Sequence, residues 1–210
     1  MDKNALEARN MVEKNKKREI AESWHHKQEK LIKSWGEKCL GYRWLLHRNA
    51  QYHSKINRNL SISNISLSTV ASLGTLMGTS LEGGSILLYV FGFINLVSVG
   101  IASVHKFLRS GEQFELNIQT SKQFSRLARD ISLELSLEKE DRMDAVNYCN
   151  RVREEYDKIM DRVPEIPNWV IQEYKKTMEK DDPNGTISRP DIANGKFKIY
   201  SSSEGSNQIV

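Results

Sequence analysis

With 210 residues, the chain has room for one ordinary domain or for a small domain plus a membrane hairpin. Its formal charge of +4 is too mild to point to nucleic acid, and its two cysteines are too few for a disulfide framework. The mean hydropathy of −0.56 resembles that of a soluble protein, yet it averages polar flanks with an apolar centre: from Asn59 to His105 the only charged side chain is Glu82.

Residues 1–19 are polar and charged with little apolar patterning, which predicts frayed helix or disorder. Nothing in the first 30 residues resembles a secretory signal. Over residues 20–58, Ile20, Trp24, Leu31, Trp35, Tyr42, Leu45, Tyr52 and Ile56 recur at sums of three and four. That periodicity predicts one long cytoplasmic helix, with Gly36 and Gly41 as weak points. No proline occurs before Pro164, so this helix is expected to run on into the apolar centre. Trp24, Trp35 and Trp44 read as core of a helical bundle.

The centre divides into two apolar runs, residues 59–80 and 85–105, joined by a turn at residues 81–84. Each is about the 20 residues a helix needs to cross a bilayer core of about 30 Å. The second holds twelve Leu, Ile, Val or Phe residues between Ile86 and Val104, worth about −6 kcal/mol on an insertion scale. The first holds seven Leu, Ile or Val residues, worth about −3.5 kcal/mol, opposed by its Ser, Thr and Asn content. Alone it is marginal; as half of a hairpin it is expected to insert. A short turn puts both flanks on one side. Arg48, Lys55 and Arg58 before the first run, and Lys106 and Arg109 after the second, place that side in the cytoplasm, where these cations meet anionic lipid.

The polar residues of the first run are ordered. Ser61, Asn64, Ser68, Ser72, Thr75 and Thr79 step by three or four and share one helix face. Such a face either packs helix against helix or lines a water-filled path, and a path needs several chains, since two helices enclose none. Gly74 and Gly78 have the spacing that lets membrane helices approach closely. On the second run, Asn95, Ser98, Ala102 and His105 form another small or polar line. A lone Asn in hydrocarbon is expected to find its partner across the hairpin.

After the hairpin the helical signal returns. Residues 106–163 carry two amphipathic stripes, one through Phe114, Ile118, Phe124, Leu127, Ile131 and Leu135, the other from Met143 to Val163. They predict two cytoplasmic helices packed on the N-terminal one as a bundle. Residues 164–180 form a proline-bounded segment with a short helix. Residues 181–210 are rich in Gly, Ser, Asn, Asp and Pro and are expected to be disordered. The fold class is therefore all-α: a two-span transmembrane hairpin with long amphipathic cytoplasmic helices, both termini cytoplasmic.

No phosphate loop, dinucleotide fingerprint, nucleophile elbow or zinc-protease motif is present. Cys39, His47 and His53 match no familiar zinc spacing. No catalytic residue, cofactor or metal site is expected, and the chain does not read as an enzyme.

Trp35-Gly36-Glu37-Lys38-Cys39, then Tyr42-Arg43-Trp44-Leu45-Leu46-His47, then Leu73-Gly74-Thr75-Leu76-Met77-Gly78 follow one another in a way that resembles the SLATT group of two-transmembrane helical proteins, and related membrane proteins of large DNA viruses. Gln123-Phe124, Arg153-Glu154-Glu155-Tyr156-Asp157 and Pro164-Glu165-Ile166-Pro167 extend the likeness, which covers roughly Trp35 to Lys180. The resemblance implies a membrane hairpin with cytoplasmic helices and no enzymatic activity. It also implies a pore-forming role of the kind proposed for bacterial conflict effectors, although no nucleotide-sensing or nucleotide-producing domain is legible here. The expected function is an oligomeric membrane protein that forms or gates a pore lined by the hydroxyl stripe. The alternative is a non-conducting scaffold, or a viral membrane protein, whose helical bundle recruits a cytoplasmic partner. The partners implied are the bilayer, further copies of the chain and a cytoplasmic protein.

Overall fold

A computed structural model describes residues 3–80 and 85–194. Every element among them is helical and no strand occurs. The α-helices are α1 (Lys3–Ser23), α2 (His26–Ser80), α3 (Ser85–Leu108), α4 (Ser110–Ser136), α5 (Ala145–Met160), α6 (Asn168–Asp181) and the single turn α7 (Asp191–Asn194), with a short 3-10 turn at Lys139–Asp141. They form two compact units: residues 1–45 with 121–210, and residues 46–120. Helices α2 and α4 contribute to both.

The first unit is built on aromatic side chains. Tyr42 of α2 stacks on Phe124 of α4, with ring centres 5.1 Å apart, and Trp44 lies 5.4 Å from Tyr174 of α6. Ile32, Leu45, Val152 and Val170 are fully buried among them. The polar N-terminal segment is helical, and the break falls between α1 and α2 rather than at a glycine. Trp24, at that break, is buried and donates its indole N–H to the carbonyl of Met143 at 2.7 Å. Lys139 donates to the carbonyl of Trp24, and Arg142 lies over its ring. These bonds supply partners for backbone that an unbroken helix would have satisfied itself. Arg142 also meets Glu29 at 2.7 Å and holds that carboxyl below its ordinary pKa.

Gly36 and Gly41 do not interrupt α2. A Cβ on Gly41 would come within 2.5 Å of Pro190, so the glycine allows a close approach instead. Helix α5 starts at Asp144, whose side chain accepts the N–H of Asn147 at 3.0 Å, an ordinary N-cap. It ends before Pro164, and α6 follows Pro167.

The expectation of a disordered tail from residue 181 does not hold as far as Asn194. The buried Asp182 carboxylate accepts from the N–H and hydroxyl of Thr186 and from the N–H of Ile187. Ser188 N–H donates to Glu37, and Lys38 pairs with Asp191 at 2.8 Å. A polar composition is compatible with order here because one carboxylate satisfies several loop donors at once. The remaining tail lies outside the described residues, as does the expected turn at residues 81–84.

The second unit contains the hairpin helices. Among the described residues, two helices are long and apolar enough to cross a membrane. Only 11% and 6% of their most apolar windows are buried within the chain. Ile65, Leu76, Ile86, Tyr89, Phe93 and Leu96 all face outward, an exposed apolar surface of the kind that marks a membrane or interaction site.

Candidate functional site: a polar ladder through the helical hairpin

Within the second unit, α2 presents one face to α3 and to the start of α4, and the contacts along it are polar. The buried Asn49 amide donates to the Asn117 carbonyl oxygen at 3.0 Å. Two turns further along α2, Asn57 meets His105 of α3, with Oδ1 2.7 Å from Nε2. Two more turns on, Ser98 of α3 is buried and donates to Asn64 Oδ1 at 2.8 Å, while its oxygen lies 2.7 Å from that of Ser68. These α2 positions advance by eight, seven and four residues, close to whole turns, and so stay on one face.

The hydroxyl stripe predicted from sequence is thus largely an internal face of the hairpin. Ser61, Asn64, Ser68 and Thr75 are partly buried, and Ser72 is exposed. Ser72 and Thr75 donate to the carbonyls of Ser68 and Ala71, each at 2.8 Å, which satisfies them within their own helix. The side chain of Thr79 lies outside the described residues. Gly74 and Gly78 are both buried, and a Cβ on Gly74 would lie 2.2 Å from the Phe91 ring.

Asn95 differs from expectation. It is exposed on α3, and Ser98 takes the cross-hairpin place foreseen for it. The small-or-polar line on α3 contained both residues; which one points inward depends on where α3 rests against α2. Gly92, Asn95, Val99 and Ser103, spaced by three, four and four, are all exposed. Cβ atoms added at Gly92 or Gly100 would meet nothing within 4 Å.

The Asn57–His105 bond brings the outer ends of the two hairpin helices level. Lys55, Arg58, Lys106 and Arg109 are exposed around that level, and Arg48 lies further back on α2, bonded to Gln51. Arg109 has a positive φ of 45° at the break between α3 and α4. Sequence reasoning weighed His53 only as a metal ligand and did not single out the Asn49–Asn117 pair. His53 is partly buried, its Nδ1 has no partner among the described residues, and burial lowers its pKa. The only signal for either was their spacing of four on α2, in phase with Asn57 and Asn64.

The ladder contains hydroxyls, amides and imidazoles with no carboxylate among them. It can hold helices in register, and it offers no nucleophile paired with a base. No protein-family model, curated protein or solved structure matches the chain.

Proposed function

We propose that the chain is an integral membrane protein whose α2–α3 hairpin crosses the bilayer twice, with both ends cytoplasmic. It self-associates and carries its other helices as a platform for a cytoplasmic protein partner. The observation that favours a scaffold over a channel is the Asn64–Ser98–Ser68 set. Polar atoms that a pore would turn toward water are bonded to one another inside a single chain. Self-association draws support from Asn95, since an exposed amide in an apolar helix has no hydrogen-bonding partner in lipid and gains one from a second copy. Gly92 and Gly100 leave room for that copy to approach.

The pore-forming reading keeps support in a changed form, with exposed Asn95 and Ser103 of α3 facing a path between several chains. Fractionation and ion flux in liposomes separate the readings. A membrane-integrated oligomer without flux supports the scaffold. Flux lost with Asn95→Leu but kept with Ser68→Leu supports a pore lined by α3, and flux lost with Ser68→Leu and Ser72→Leu supports the stripe. Recovery of the protein in the soluble fraction overturns all three.

A further inference from the structure

We propose that the groove between α4 and α5 binds a doubly charged phosphate group. The groove has a volume of about 660 Å³, within the range of about 300–1,000 Å³ usual for ligand sites. Its floor is aliphatic, formed by Leu127 and Ile159, both buried. Its walls carry four cations and two carboxylates.

Most of that charge is already committed. Arg151 meets Asp130 at 2.5 Å, and the Tyr148 hydroxyl also donates to Asp130. Lys158 lies 3.6 Å from Glu155. Arg126 of α4 and Arg162, just past the end of α5, make no ion pair among the described residues, although both line the same cavity. Two cations outside these ion pairs are thus held on one groove by two different elements. Gln123, one turn before Arg126 and on the same face, adds an amide donor.

The excess of two positive charges matches a phosphate monoester, which carries about −1.5 to −2 near pH 7. Guanidinium forks suit it because they donate two parallel hydrogen bonds to a pair of phosphate oxygens. The aliphatic floor suits the apolar body of an ester and strengthens the charge pairing above it by lowering the local dielectric. The phosphate belongs either to a soluble ester or to a lipid headgroup. This inference is independent of whether the hairpin conducts.

The test uses the full chain in nanodiscs of phosphatidylcholine, titrated calorimetrically with phenyl phosphate and, as a control, benzyl alcohol. Phenyl phosphate is expected to bind and benzyl alcohol not to bind. Arg126→Gln and Arg162→Gln are each expected to weaken binding about tenfold, the scale of one charged hydrogen-bonded contact. Both side chains are exposed, so unchanged thermal melting checks that the variants fold. Glu155→Gln removes a competing negative charge and is expected to tighten binding. Arg129→Gln, one turn away and bonded to Ser125, is expected to leave it unchanged. In nanodiscs containing phosphatidic acid, suppressed binding assigns the groove to a lipid headgroup and unsuppressed binding to a soluble ester. Absence of phenyl phosphate binding overturns the proposal, and so does an equal loss in Arg129→Gln and Arg126→Gln.

Discussion

Gly74 of α2 lies so close to Phe91 of α3 that a Cβ at position 74 would come within 2.2 Å of the ring. The two apolar helices approach there because one residue lacks a side chain, which also brings Ser98 within hydrogen-bonding reach of Asn64 and Ser68. Gly74→Ala is expected to destabilise the hairpin by about 1–3 kcal/mol, the ordinary cost of overpacking. Phe91→Leu in the same chain should give part of that back. Thermal melting in detergent micelles reads both effects, and a Gly74→Ala melt equal to wild type would rule out the close contact.

Ser98 holds two α2 side chains at once, so its removal leaves Asn64 without its cross-hairpin donor. Ser98→Ala is expected to cost about 0.6 kcal/mol, the average for hydrogen bonds between membrane helices, and at most about 1.7 kcal/mol. A double-mutant cycle with Asn64→Ala isolates the pair. Strictly additive losses would mean that the bond contributes nothing.

His53 is expected to make the stability of the second unit depend on pH. Burial lowers its pKa from the ordinary value near 6.5, so the folded chain keeps the ring neutral where the unfolded chain would protonate it. Its contribution is fully present above about pH 6.5 and is lost as the pH falls through that value toward the folded pKa. The melting temperature should therefore fall between about pH 7.5 and about pH 5, and less steeply in His53→Gln. Identical slopes for the two proteins would refute this role.

Asp182 pins the segment that follows α6. Its bonds to Thr186 and Ile187 lower its pKa, so this contribution is present above the ordinary carboxylate pKa of about 3.8 and is lost as the pH falls through the folded value. Asp182→Ala is expected to free residues 183–194 from the contacts of Glu37, Lys38 and Gly41. Limited proteolysis should then cleave this segment faster, with α5 and α6 still protected. Equal cleavage rates would show that Lys38–Asp191 and the Pro190–Gly41 contact suffice without the carboxylate.

The all-helical character, the two apolar helices and the polar face of α2 were legible in the sequence. Helical periodicity and the loss of charge between Asn59 and His105 are properties of adjacent residues, and they need no partner to be read. The aromatic core was legible in part for the same reason, because Trp24, Tyr42 and Phe124 sit on apolar stripes. What tertiary structure decided was rotation and docking. Asn95 and Ser98 differ by less than one turn of α3, and only the seating of Phe91 against Gly74 determines that Ser98 turns inward and Asn95 outward. Order in residues 182–194 was hidden likewise, since a polar segment folds when a distant carboxylate and a glycine receive it, and composition records neither.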